Sequence, residues 1–443
     1  VGILSTLRKY EQETKVHSLN TGTMYDLATG VFVPGKDGKM YLNGGLAMSN
    51  GISGRTQTYK SSVALGYAAR ALNNYQSAEA YIYDSEMTIP EGRLNQLSGR
   101  NGSNFDDRVV MYDKSNMGLE ELFSNLRELA AAKVQQKKEL IRETPFINID
   151  GKFIKSWTPT IVVIDSFSAA TSSKESDLYD KVDLGDSKTN MVSMTDGKLK
   201  SEFIRQLPNM FGTKGMHFIM TAHIGDNMQL DPYSPKTKDV PMMSSNDKLK
   251  HVGTQFQFLL ANLLQTRKTT LLQDKDKKCQ YPYDFSSDVE LQEINAIICR
   301  CKLNASGAQI NHISSQFFGL QEWLEYYQVI AKSKSALIEG TVKQKLAITD
   351  HEFTRHTIRK TIATEPTFRR ALEILGQFAY VRNNWNLPEV HKIGYVDFIK
   401  RFNESPGLAS DILNSTGIWS FNDEPQDKQY LSIIDILRLI AKK

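Results

Sequence analysis

Gly51-Ile52-Ser53-Gly54-Arg55-Thr56-Gln57-Thr58-Tyr59-Lys60-Ser61-Ser62 follows an apolar run and leads into an Ala/Leu-rich stretch, Val63 to Leu72. Glycine-rich chain at a helix start, closed by Lys and a hydroxyl residue, suits a polyphosphate. Backbone N–H groups surround its oxygens, the ammonium offsets their charge, and the hydroxyl reaches Mg²⁺. Gly54, Lys60 and Ser61 fit the pattern G-x-x-x-x-G-K-[S/T], whereas Tyr59 stands where the second glycine belongs. The competing reading is an ordinary turn ahead of a helix. Two carboxylates favour the phosphate. Ala80 to Glu86 reads as a short buried strand ending in acid, and Thr160-Ile161-Val162-Val163-Ile164-Asp165 as a central parallel strand ending in another. Nucleotide hydrolysis needs a group that activates water and one that holds Mg²⁺, roles for Glu86 and Asp165. His223 closes the strand expected at Met216 to His223. It is either a satisfied structural histidine or an imidazole that meets a terminal phosphate and relays its presence into the next loop.

The order strand, phosphate loop, helix, strand implies an α/β fold with a mostly parallel central sheet. Asp37-Gly38 and Asp150-Gly151, each between alternating apolar residues, predict hairpins. Further strands are expected near 105–113, 258–272 and 294–302, and helices at Leu119 to about Glu143 and about Lys200 to Phe211. Two polar stretches, about 167–198 and 224–252, follow the two strands that end in Asp165 and His223; loops this long inside a compact domain are usually functional or mobile. The second carries Lys248 and Lys250. Arg300 and Lys302 alternate on one strand face, as solvated charge or as a functional pair. Beyond about 325 helical patterns take over, and the basic residues Arg355, His356, Arg359, Lys360, Arg369 and Arg370 read as a solvated helix face, with DNA contact as the minority alternative. The expected division is therefore an N-terminal helix or arm at 1–25 suited to a subunit contact, a core at 26–325 and a helical C-terminal domain at 326–443.

Composition narrows the function classes. With 443 residues, 40% hydrophobic and 23% charged, the chain suits a globular core, and no apolar run reaches the length of a membrane span. Val1 to Arg8 shows no signal-peptide plan and no initiating Met, so the expectation is a cytoplasmic chain with a trimmed or partial start. Cys279, Cys299 and Cys301 are too few for a disulfide framework and lack the further ligands of a zinc site. A net charge of +4 permits a polyanionic partner without requiring one.

The phosphate loop with its aromatic before Lys60-Ser61, the strand-end Tyr83-Asp84-Ser85-Glu86, the step Ile164-Asp165-Ser166 and His223 together resemble the RecA-type recombinases over about residues 20–325. Within them the likeness is greatest to the UvsX recombinases of tailed phages. The resemblance implies a RecA-like phosphate-loop ATPase core that binds ATP and Mg²⁺. Gly54 to Ser62, that is Gly54, Arg55, Thr56, Gln57, Thr58, Tyr59, Lys60, Ser61 and Ser62, would hold the phosphates. Ser61 and Asp165 would hold Mg²⁺, Glu86 would activate water and His223 would sense the γ-phosphate. Arg93 falls where an adenine-stacking aromatic is expected, and Arg300 with Lys302 would reach the ATP of an adjacent subunit. The two polar stretches match DNA-binding loops, with Lys248 and Lys250 as phosphate contacts. The implied partners are single-stranded DNA, homologous duplex DNA, further copies in a filament, and mediator and single-strand-binding proteins, in a phage-infected bacterial cell. The alternatives are a ring-forming replicative helicase and a nucleotide-gated DNA-binding scaffold with vestigial hydrolysis.

Overall fold

The computed structural model describes residues 14–99, 103–112, 118–173, 188–228, 237–284 and 287–442. Of the N-terminal helix or arm expected at 1–25, residues 1–13 lie outside them. A short helix, Met24–Thr29, follows, its first turn closed by the Thr23 hydroxyl accepting the Tyr25 N–H.

Strands β1 (Val31–Pro34) and β2 (Met40–Asn43) form the first expected hairpin, and β6 (Ile141–Ile147) with β7 (Phe153–Trp157) the second. Gly38 and Gly151 turn them at φ +79° and +72°, which only glycine adopts without strain. The central ten-stranded sheet contains β3 (Ser49–Gly54), β4 (Glu79–Asp84), β5 (Val109–Tyr112), β8 (Thr160–Asp165), β9 (Met216–Asp226), β10 (Asp247–Leu249), β11 (Asn262–Leu271), β12 (Leu291–Cys301), β13 (Gln309–Ser315) and β14 (Gly319–Leu320). Their order is β14-β13-β12-β11-β3-β9-β8-β4-β5, with β10 paired to β9. From β11 to β5 all neighbours are parallel; β12, β13, β14 and β10 are antiparallel. This is the mixed α/β fold with a mostly parallel sheet that the sequence predicts.

Burial on both faces explains why β8 is an unbroken run of Ile and Val: every residue from Thr160 to Asp165 is buried. Register then places the chemistry. Gly54 pairs with His223 and Asp84 with Asp165, so the carboxyl ends of β3, β9, β8 and β4 share one edge. The Lys60–Asn74 helix starts at that edge and packs Val63, Ala64, Ala68, Ala71 and Leu72 into the core.

Several expectations need correction. The helix at Leu119 ends at Gln135, a separate turn Lys137–Leu140 follows, and helical structure stops short of Glu143 because Ile141 onward is claimed by the β6 ladder. The helix expected from about Lys200 begins at Lys188, inside the stretch read as polar loop, and continues to Gln206. A wider π turn, Leu207–Phe211, follows where Pro208 withdraws its N–H. Within 167–198, residues 174–187 lie outside the described residues. Strand β9 runs past His223 to Asp226 and pairs with β10, so the stem of the second polar stretch is a two-stranded ribbon; residues 229–236 lie outside the description. The C-terminal region carries helices such as Glu322–Lys332, Pro366–Asn384 and Ile433–Ala441, and also β15 (Ile338–Glu339), β16 (Gln344–Leu346) and β17 (Glu352–Phe353), so it is not purely helical. One apolar cluster extends from Leu19 to Ile440. Across it Tyr41 stacks on Tyr430, and the Met40 N–H donates to Asp435. Among the described residues no helix is long and apolar enough to cross a membrane.

Candidate functional site

After β3 the chain bends through Arg55 to Tyr59 before helix Lys60–Asn74 begins. Thr58 Oγ1 donates to the Arg55 carbonyl at 2.8 Å and accepts from Thr266 Oγ1 at 2.8 Å, which ties the loop to β11. A Cβ on Gly54 would overlap both hydroxyls, so that position tolerates only glycine. Tyr59 adopts the left-handed conformation, φ +59° and ψ 31°, that the missing glycine would take easily. A side chain there costs about 1–2 kcal/mol. Gln292, nearly buried on β12, donates its amide to the Tyr59 hydroxyl, and this anchor together with packing against the core offsets the cost. Tyr59→Gly should therefore keep nucleotide affinity within about threefold, because relief of strain and loss of one hydrogen bond nearly cancel. Calorimetric titration with a slowly hydrolysed ATP analogue checks this, and abolished binding in a folded variant would contradict it.

The loop borders an open cavity of about 800 Å³ lined by Thr56, Gln57, Tyr59, Lys60, Ser61, Ser62, Glu86, Asp165, Ser166, His223, Thr269, Leu271, Val289, Gln292 and Gln316. Lys60 is 7% exposed and donates to the Arg55 carbonyl at 3.0 Å. Burial pulls its pKa down, while Asp165 and Glu86 oppose that. Asp165 is also buried, and desolvation raises its carboxyl above the ordinary range despite hydrogen bonds from Thr221 and Ser61. For Glu86 burial again pulls upward, but the Ser166 hydroxyl at 2.8 Å, His223 Nε2 at 3.1 Å and Lys60 outweigh it and hold the carboxyl below the usual value. Glu86 is thus an ionised base beside a cation, in a cavity that water can enter.

Asp84 positions Glu86. Its buried carboxylate accepts the N–H groups of Glu86 at 3.1 Å, Thr88 at 2.7 Å and Ile89 at 2.7 Å, fixing the turn after β4. Ser85 and Ser166 exchange hydrogen bonds across the ends of β4 and β8, at 2.9 Å each way, and the Asp165–Ser166 peptide is cis.

Lys60, Ser61, Glu86, Asp165 and His223 are therefore brought together, with Thr56, Gln57, Tyr59 and Ser62 on the same wall. Other expected residues are not. Arg55 turns away to Asp226 and Asp247, at 2.7 and 2.9 Å. Arg93 is held by the Gln316 carbonyl at 2.8 Å and Gln96 Oε1 at 3.1 Å, beside the cavity and outside its lining. Arg300 and Lys302 donate to the carbonyls of Leu260 and Leu259, at 3.1 and 2.9 Å. Register sets Arg300 opposite Leu263, at the beginning of the parallel strands, so neither cation reaches the cavity of its own chain. Lys248 is exposed on β10, and Lys250 Nζ approaches the Asp226 carbonyl at 3.4 Å. The sequence assigns no role to Asp84, Ser166, Thr221, Gln292 or Gln316, although Asp84 and Ser166 stand within its strand-end motifs. Asp84 adjoins Glu86 in a strand-end motif and was within reach; nothing local marks Gln292, whose role depends on β12 passing Tyr59.

Among the described residues no cluster of three or more His, Cys, Asp or Glu is arranged to hold a metal. A hard divalent ion here would take most of its oxygens from phosphate and water, with the Ser61 hydroxyl and Asp165 carboxylate as protein donors. These two groups are already hydrogen-bonded to each other beside the Lys60 ammonium, so the donor set fits Mg²⁺ with a polyphosphate. No family model matches the chain, and comparison with curated proteins finds no match.

Proposed function

We propose that the chain is a phosphate-loop ATPase that hydrolyses ATP to ADP and phosphate with Mg²⁺. The more particular reading is a RecA-type recombinase of the UvsX kind, which assembles as a helical filament on single-stranded DNA and exchanges strands with homologous duplex. Its setting would be phage recombination, repair and recombination-dependent replication inside the host cell. One observation carries the ATPase reading: Lys60 and Ser61 at the start of the helix after β3, Glu86 after β4, Asp165 at the end of β8 and His223 on β9 converge on one open cavity.

Lys60 and the loop N–H groups bind phosphate oxygens, and Ser61 with Asp165 holds the divalent ion. Mg²⁺, when bound, supplies neutralisation of charge on the phosphate oxygens. Glu86 orients a water and takes its proton, while His223 holds the Glu86 carboxylate in place. The remoteness of Arg300 and Lys302 from their own cavity supports a role at a neighbouring subunit's nucleotide, which would link ATP binding to assembly. Lys248 and Lys250 on the β9–β10 ribbon would hold DNA through its phosphates, giving sequence-tolerant and salt-sensitive affinity.

Negative-stain microscopy with single-stranded DNA and a slowly hydrolysed ATP analogue tests the particular reading. Extended helical filaments are expected; closed rings would point to the helicase instead. Joint-molecule formation between homologous DNAs then tests strand exchange itself, and DNA binding with no ATP turnover would favour the scaffold.

A further inference from the structure

A second charged cluster lies behind the Glu86–His223 pair, outside the cavity. Lys200, on the Lys188–Gln206 helix, is 1% exposed. An ammonium this deep must have its protons met by acceptors. It donates to Asp196 Oδ2 at 2.9 Å, the His251 carbonyl at 2.9 Å and the Ser168 carbonyl at 3.2 Å. The second oxygen of Asp196 is buried without a hydrogen-bond partner among the described residues, so the charge of that carboxylate is balanced by Lys200.

The two carbonyls belong to the stems of the two polar stretches. Ser168 begins the first, just after β8, and His251 ends the second, just after β10. The Ser168 hydroxyl accepts the His223 N–H at 2.9 Å and donates to the Lys250 carbonyl at 2.9 Å. The Lys250 N–H in turn donates to the His223 carbonyl at 2.9 Å. His223 is thus tied through its backbone to both stems while its ring meets Glu86. Without the ammonium, two carbonyls and a carboxylate would face one another as acceptors with no donor between them.

We infer that Lys200 is a positioning residue that fuses both stems and the backbone of His223 into one unit, so that nucleotide bound at the phosphate site shifts the two stems together. This rests on the ATPase and DNA-loop reading above. Its mechanical part stands apart from that reading and is tested without ligand, by amide hydrogen exchange on the full chain. Lys200→Met combined with Asp196→Asn removes both charges, so neither stays buried alone. Peptides covering 166–170 and 248–252 should exchange about tenfold faster than in the wild type, with β3 unchanged. Unaltered exchange at either stem in the folded variant would overturn the clamp.

The coupling is read from hydrolysis. The double variant and Ser168→Ala, which leaves the ion pair intact, should keep basal turnover but lose stimulation by single-stranded DNA by about tenfold. Stimulation retained in both would sink the coupling role. A wild-type chain whose ATP turnover ignores DNA would refute the DNA-loop reading and the coupling with it, while the exchange result still decides whether Lys200 clamps the stems.

Discussion

Glu86→Gln is expected to lower ATP turnover by about a hundredfold to ten-thousandfold, the usual contribution of a positioned base, with nucleotide affinity little changed. The amide keeps the size of the side chain and can still meet Ser166 and His223, so geometry survives while the proton acceptor is lost. Single-turnover hydrolysis and equilibrium binding, measured side by side, separate the two effects. The pH profile adds an independent check. Ser166, His223 and Lys60 hold the Glu86 carboxyl below its ordinary range against the upward pull of burial, so the base stays ionised until pH falls through the carboxylate region. Glu86 should accordingly cost no activity on acidification from neutrality until that region is reached, and Glu86→Gln should erase its share of the acid limb and leave that of Asp165, whose carboxyl burial raises. A wild-type rate that already falls between pH 7 and 6 would contradict Glu86 as the group that limits activity in acid. Wild-type turnover in Glu86→Gln would remove Glu86 from the chemistry altogether.

Much of this arrangement is legible in the amino-acid sequence because the sheet imposes a strong pattern. Four buried β-branched residues before Asp165 leave little choice but a central strand, and a parallel strand must deliver its carboxylate to the same edge as the phosphate loop. Where polar residues occupy buried positions the pattern breaks. Strand β13 contains Asn311 and His312, and His312 is wholly buried because Tyr67 Oη and Glu325 Oε1 satisfy its two ring nitrogens, at 2.6 and 2.9 Å; no local periodicity announces that. The helix from Leu119 breaks at Gln136 and a further turn, Lys137–Leu140, follows; no glycine or proline ends that turn, and the β6–β7 pairing from Ile141 does. Arg93 shows the same limit at the site. Its position near the cavity can be read, but the Gln316 carbonyl that captures the guanidinium lies on a distant segment. The tolerance of Tyr59 is likewise tertiary, supplied by Gln292 across the sheet.

Lys60→Met should weaken binding of a slowly hydrolysed ATP analogue by about a hundredfold, the loss of two charge-assisted hydrogen bonds worth roughly 1.5 kcal/mol or more each. Fold stability should not fall with it. Burial already works against the charged form of Lys60, and among the described residues its ammonium has only the Arg55 carbonyl as a hydrogen-bond partner, so a thioether side chain of similar length costs the ligand-free chain little. Glu86 would feel the change: with the Lys60 charge gone, it loses one of the groups that hold its pKa down and should titrate higher. Calorimetric titration with a thermal melt of the same sample therefore distinguishes a phosphate ligand from a structural lysine. Weakened binding with an unchanged melt is expected, whereas a lowered melt with affinity within about threefold would make Lys60 a core residue and leave the cavity without its principal phosphate contact.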